Sequence, residues 1–444
     1  MKKSALALLV VFAALAAVAA SASSRATPVA VPQAAKSPAK ELGPLLAVVP
    51  GAHGPVLGRA DKRAIWVARK SPKVRLYNSV RAWAYAPDGS AIVLATQPST
   101  TEGASTLVFV EPRLLRRLAL NRLPGGYVSA LAWGDDRVNV VLQDSGQIEV
   151  VSVDSTTHGV SVGAKVDGSL LGIDRVGGRI VLLTGPRKGI GTASLAVVEP
   201  TGALRTVALP EISAGSDLGN GSEPPDVGKM HQNIPALAVD PDSARAFVIP
   251  ANGSIAEVTL STLGVSYHSL AQSVSLLGRL HDWVEPRAEA KGVTGPVRAA
   301  RWLGSGVVGV TGGDETATMD ASNQLHVSWA PAGLRLIDTN TWGTKLIDRG
   351  ADSFVVDGDS LLVTGSTWSD GDRTGVGLAA YSFDGTRKLS VLSGDSAQVV
   401  LAFRGKVYLD LGRSHTATVV DLASGRLGDR HAPLALLLIG DGSN

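Results

Sequence analysis

Cysteine is absent from all 444 residues. That excludes disulfides, thiolate metal sites and a cysteine nucleophile. It also excludes a lipid anchor built on a cysteine behind an apolar leader. Charge is sparing and balanced: 42 Lys and Arg against 39 Asp and Glu leave a formal net charge of +3. No run of Lys or Arg exceeds two residues, as in Arg116-Arg117, so a nucleic-acid partner is not expected. Catalytic signatures are missing too. There is no GxSxG elbow, no HExxH helix and no P-loop. The segment Gly185-Pro186-Arg187-Lys188-Gly189-Ile190-Gly191 lacks the ordered Gly-Lys-Ser/Thr of a phosphate cradle and reads as a basic hairpin loop.

The N-terminus reads as a leader. Lys2-Lys3 is followed by an apolar stretch from Ala5 to Ala20 and by the small residues Ala20-Ser21-Ala22. The stretch is about 16 residues, short of the roughly 20 needed to cross a bilayer. Residues 1–22 are therefore expected to be a cleaved signal peptide, and residues 23–42, rich in Ser, Ala, Pro and Lys, a disordered spacer. Loss of Lys2 and Lys3 would bring the net charge to about +1. The expected location is outside the cytoplasmic membrane: extracellular, periplasmic or cell-wall associated, with no stable membrane anchor.

What is plentiful is glycine, with 50 residues, set among Val, Leu and Thr. One phrase recurs. Gly333 to Leu346, GLRLIDTNTWGTKL, reads as strand, turn, strand. It returns as TLVFVEPRLLRRL from Thr106, SLAVVEPTGALRTV from Ser194, LAAYSFDGTRKLSV from Leu378 and ATVVDLASGRLGD from Ala417. Around it a four-strand unit can be written seven times from Val80 onward. Inner strands such as AWAYAP, ALAWGD and LLGIDR pair small with large side chains, which suits strands crowding a central axis. Pro87-Asp88-Gly89, Asp240-Pro241-Asp242 and Asp357-Gly358-Asp359 supply turn chemistry.

A period of roughly 40–50 residues with four strands per unit marks a β-propeller. The third strand ending in an acid before a TxTG-like turn, as in Ile337-Asp338-Thr339 and Val420-Asp421-Leu422, resembles the YVTN and WD-repeat type. The phrases GLRLIDTNTW, YHSL and HDWVEPRAEAKG are similar to those of secreted actinobacterial propeller proteins. That resemblance implies location and fold only. The fold class is all-β. Residues 43–440 are expected to form a propeller, with 441–444 as a tail. Segments 45–50, 55–59 and 72–76 would give the second, third and outer strands of one further blade, and 433–439 its inner strand. Eight blades closed by this C-terminal strand are favoured, with seven as the alternative.

Long connections fall at 97–105, 185–193, 312–332 and 366–376, between second and third strands. Others fall at 210–234 and 271–296, between outer and next inner strands. In an up-and-down unit both kinds emerge on one face, where insertions often serve binding. Within 271–296, Leu276, Leu277, Leu280 and Trp283 have helical spacing, and His281 and Asp282 lie on the same segment. The 210–234 insertion offers Asp226, His231 and Gln232. Trp329 and Trp368 flank insertions, where a ring would stack on a sugar or peptide. Asp226, His231, Gln232, His281, Asp282, Trp283, Trp329 and Trp368 are the candidate ligand contacts. Trp83, Trp133 and Trp302 fall on inner strands and read as packing, and Trp342 lies on the opposite face.

No metal site and no cofactor is called for. Asp370-Gly371-Asp372 has oxygen ligands for Ca²⁺ but lacks the rest of an EF-hand loop. The expectation is a monomeric binding or interaction scaffold for an extracellular or envelope ligand or protein. Two enzymatic alternatives remain open: a lactonase- or lyase-like propeller with a metal in its channel, and a quinone-dependent dehydrogenase.

Overall fold

The computed structural model describes residues 45–49, 56–60, 65–66, 80–86, 91–96, 105–111, 116–134, 136–144, 147–216, 231–270, 294–319, 325–369, 372–403, 405–412, 416–428 and 432–433. Every regular element among them is a strand. Eight antiparallel sheets follow one another along the chain. Seven are built on four strands in chain order, and the first, with Leu45–Val49, Val56–Ala60 and Ile65–Trp66, has three. The chain is a β-propeller, as its repeats imply.

The core explains the arrangement. It is divided into slabs, each made by two successive sheets. Leu107, Phe109 and Val93 of the second sheet meet Leu131, Val138 and Val140 of the third. The third meets the fourth through Val141, Ile148 and Val150 against Ile180, Leu182 and Ala196. The fourth presents Val181, Leu183 and Leu195 to Val239, Val248 and Val258 of the fifth. In the strand Arg179–Gly185, Ile180 and Leu182 thus face one slab while Val181 and Leu183 face the next. A strand buried on both faces must be apolar without alternation, and this is why these segments read as continuous runs. The same pattern continues to the eighth sheet.

The repeated phrase is the turn between third and outer strands. Asp338 Oδ1 accepts hydrogen bonds from Asn340 N at 2.8 Å and Thr341 N at 3.3 Å. Asp154 does the same for Thr156 N and Thr157 N, at 2.9 and 2.6 Å. Each turn closes on a left-handed residue: His158, Gly202, Leu263, Trp342, Gly385 and Gly425 have φ between 58° and 83°. The preceding sheet grips four of these turns by hydrogen bonds. Asn121 Nδ2 donates to His158 O, Arg137 Nη1 to Thr201 O at 3.0 Å, Arg205 to Leu260 O and Ser261 O, and Lys345 Nζ to Asp384 O at 2.6 Å. Where the left-handed residue is not glycine, its side chain becomes a wedge. His158 lies on Phe109 and Trp342 on His268.

Ile65–Trp66 pairs with Val56–Ala60 in the first sheet, and 72–76, expected as its outer strand, lies outside the described residues. One strand position differs from expectation. Pro433 belongs to the outer strand of the eighth sheet, paired with Thr416, so it does not begin an inner strand. Residues 434–439 and the helical spacing around Leu276 to Trp283 lie outside the described residues.

Candidate functional site

The connections at 312–332 and 366–376 are not loops in their described parts. The strand Val307–Met319 runs on past its sheet and pairs with Leu325–Pro331. That strand in turn pairs with Ser366–Ser369, which turns back as Asp372–Gly375. A ribbon therefore joins the sixth and seventh units. Side chains of cross-strand partners share a face. Here the partners Gly295, Glu315, Trp329, Trp368 and Arg373 form one row across five strands.

This row sits against the starts of two inner strands. From just before Ala236–Asp240, the Gln232 Nε2 donates to Glu315 Oε2 at 3.0 Å. From just before Ser353–Asp357, the Asp352 carboxylate accepts from Trp329 Nε1 at 3.2 Å and from Ser366 N at 3.0 Å. Arg373 Nε and Nη2 donate to Ser366 Oγ at 3.3 and 3.2 Å. Burial pushes the Asp352 carboxyl above its usual range, against the pull of Ser366 N, Trp329 and Arg373. Glycine allows the close packing. A β-carbon on Gly313 would lie 2.4 Å from the Trp329 ring, so the ring occupies that space.

A second joint lies on the same face. The strand Leu204–Ser216 extends past its sheet, pairs with Gly189 to Thr192, and adds Gln232–Asn233 at its end. Ile234 N donates to Pro296 O at 2.9 Å and Arg298 N to Ile234 O at 2.8 Å, which ties the fourth unit's extension to the sixth. Arg298 also holds Asp314, with Nη2 to Oδ1 at 2.9 Å. The basic segment 185–191 is a hairpin bend at 186–188, as expected, with Arg187 on Asp167 at 2.8 Å.

The candidate residues are thus divided. Gln232 is 2% exposed and Trp329 is 9% exposed, so both hold the ribbon rather than face solvent. His231 is exposed. Trp368 is half-buried, and its indole has neither a ring partner nor a hydrogen bond among the described residues. Arg373, its cross-strand partner, is exposed. Asp226, His281, Asp282 and Trp283 lie outside the described residues. Trp133 and Trp302 pack between sheets, on Phe109 and Phe247, as inner-strand tryptophans should.

Sequence reasoning missed the charged pair on the inner strand Ser169–Val176. Asp174 Oδ2 accepts from Val239 N of the following inner strand at 2.9 Å. Arg175 Nη1 donates to Leu131 O of the preceding one at 2.9 Å. Two neighbouring residues thus fasten three successive inner strands. The only signal was two charges in an inner strand otherwise free of them.

Burial pushes the Asp174 carboxyl up to about 6, although Arg175 N, Arg301, Val239 N and Arg175 all pull it down. A raised carboxyl pKa means the folded state binds the proton more tightly than the unfolded chain. Its stabilising effect is complete below the ordinary value of 3.8 and is lost as pH rises through about 6. The change is at most about 3 kcal/mol. The turn carboxylates act oppositely. Asp384, held at about 2 by Ser382 and Thr386, and Asp154, lowered by the Thr157 and Thr156 amides, lose their contribution as pH falls through their depressed values. Thermal unfolding followed from pH 4 to 7 should therefore show stability falling towards neutrality, and Asp174→Asn, which keeps an acceptor, should flatten that fall. An equal slope in the variant would remove Asp174 as its source.

No protein-family model matches the chain, and no curated protein matches it. Solved structures do. Dihydro-heme d1 dehydrogenase NirN, in complex with DHE, is 14% identical, with a TM-score of 0.52 over 94% of this chain and 78% of that one. BamB from Moraxella catarrhalis is 12% identical, with a TM-score of 0.41 over 87% of this chain and 96% of that one. The WD40 domain of Toxoplasma gondii coronin is 13% identical, with a TM-score of 0.37 over 86% and 87%. At such identities a likeness bears on fold and not on ligand or reaction.

Proposed function

We propose that this chain is an exported, eight-bladed propeller that binds an envelope ligand or protein partner through its ribbon-bearing face. One observation carries the reading. Extensions from separate units are knitted into hydrogen-bonded ribbons on a single face, and the half-buried Trp368 indole stands there without a partner among the described residues. Connections under no demand have no reason to be joined across units, whereas a rigid ribbon presents a ring at little entropic cost on binding. The exposed Arg373 beside it adds a planar donor for a carboxylate or for carbohydrate hydroxyls.

Closure follows the same reasoning. Each later unit begins with an inner strand, and the first sheet has three strands among the described residues. The apolar run 434–439 follows the last outer strand and has the length and composition to supply that sheet's inner strand. Full closure removes the exposed edges that invite aggregation. Export rests on the leader-like residues 1–22.

The test is a thermal-shift scan of the protein against envelope polysaccharides and peptides, with Ca²⁺, Mg²⁺ and EDTA. A ligand that binds only the folded state raises Tm by mass action. The expected result is a shift that Trp368→Ala abolishes while the free protein's Tm is unchanged. An equal shift in the variant would move the site elsewhere. A metal shift reversed by EDTA, or reduction of added quinone, would favour the enzymatic alternatives.

A further inference from the structure

Gln232 and Glu315 are 2% and 7% exposed, and their buried contact is short of a donor. Gln232 Nε2 is satisfied by Glu315 Oε2 at 3.0 Å. Gln232 Oε1 is buried and has no hydrogen-bond partner. A buried amide oxygen left unpaired loses the hydrogen bond it had with water in the unfolded chain. Glu315 is short of a cation. Its cross-strand neighbours are Gly295, which has no side chain, and Trp329. Arg298 belongs to the other face, where it holds Asp314 and Gly313 O. Among the described residues no charged group acts on the Glu315 carboxyl. Burial pushes it up, and the Gln232 bond pulls it down.

We propose that Glu315 is held as the neutral acid in a cyclic pair with Gln232, and that this pair is a proton-operated latch on the chain entering the fifth sheet. One proton resolves both shortages. Glu315 O–H donates to Gln232 Oε1 while Gln232 Nε2 donates to the other carboxyl oxygen, and no buried charge remains. No bond other than the hydrogen bonds forms or breaks.

The position gives the latch its effect. Residues 231–234 run along the joint itself. Gln232 and Asn233 pair with Ser216 and Gly215, Asn233 Nδ2 donates to Ser213 O at 2.9 Å, and Ile234 meets the strand Thr294–Gly304. Their approach is so close that a β-carbon on Gly295 would sit 1.8 Å from Gln232 O. Ionising Glu315 would leave a lone carboxylate in an apolar setting, and water must reach it. The pair then separates and the joint between the fourth and sixth units loosens. The joint is therefore closed at low pH and released as pH rises through the folded-state pKa of Glu315. This inference does not depend on what the ribbon face binds.

Hydrogen exchange of residues 231–234 and 294–298, corrected for the intrinsic pH dependence, tests it. In the wild type, exchange should accelerate by up to about tenfold per pH unit above the carboxyl's folded pKa. Glu315→Gln keeps both bonds as an amide–amide pair at every pH, so its corrected rates should be flat and slow. Infrared spectra of the wild type with ¹³C-labelled glutamate should show, in the pH range where exchange is slow, a protonated carboxyl that the Glu315→Gln variant lacks. Corrected rates in the wild type that do not change with pH would overturn the latch. So would the absence of that carboxyl band, or a variant with the wild-type slope.

Discussion

Replacing Trp342 by alanine should destabilise the protein by about 3–5 kcal/mol, the range for deleting a large packed aromatic. Trp342 occupies the left-handed position of its turn, with φ 58°. Its ring stacks on His268 at 3.8 Å between centroids and 11° between planes, and tilts over Phe247 at 6.2 Å. Phe247 is itself stacked on Trp302 at 5.7 Å. Four rings thus span the junction of the fifth and sixth sheets. The left-handed backbone costs a non-glycine residue about 1–2 kcal/mol. Trp342→Gly should therefore be less damaging than Trp342→Ala by about that amount. Equilibrium denaturation of both variants separates the terms, because the two lose nearly the same contacts. If glycine proves no better than alanine, the turn is not strained. If alanine costs less than about 1 kcal/mol, the ring is not a wedge.

The wedge also shows what was legible in the sequence. The turn phrase could be read because its chemistry is local. An acid followed by Thr or Ser satisfies the backbone within three residues, as Asp338 does for Asn340 and Thr341. The strands could be read because burial on both faces forces runs such as Ile180 to Leu183. The all-β propeller architecture emerges from those two signals. The extensions could not be read in the same way. Val307–Met319 leaves its apolar run at Gly312 and continues as Gly-Asp-Glu-Thr, a composition that suits a loop. It stays extended because Leu325–Pro331 and then Ser366–Ser369 pair with it, and these partners lie far along the chain.

The same reasoning divides the candidate contacts. Gln232 and Trp329 were selected as polar or aromatic residues near insertions, and neither faces solvent, because each meets a carboxyl that sequence spacing does not reveal. Gln232 finds Glu315 at a separation of 83 residues. Asp174 and Arg175 were overlooked for the converse reason. Their partners are main-chain atoms of other blades, which have no residue type to betray them.

Asp352→Ala should be the most damaging single change at the ribbon. Three donors depend on one oxygen: Trp329 Nε1 at 3.2 Å, Ser366 N at 3.0 Å and Ser366 Oγ at 3.5 Å all point at Asp352 Oδ2. Ser366 and Trp329 are buried, so water cannot replace the lost acceptor without opening the site. Each orphaned donor costs about 1–3 kcal/mol, and the two N–H donors together about 2–5 kcal/mol. The loss should concentrate on the bond between units. Trp329–Trp368 is one of the two cross-strand pairs that join them, and Asp352 pins Trp329 from the start of the seventh sheet. Hydrogen exchange at 366–369 should then rise well above that of the sheet cores, while the apolar slabs keep their protection. Asp352→Asn retains an amide oxygen in the same place and should restore most of the protection. If the alanine variant exchanges like the wild type at 366–369, the ribbon is held by its strand pairing alone. If asparagine fails as badly as alanine, it is the charge that holds it, through Arg373, rather than the accepted hydrogen bonds.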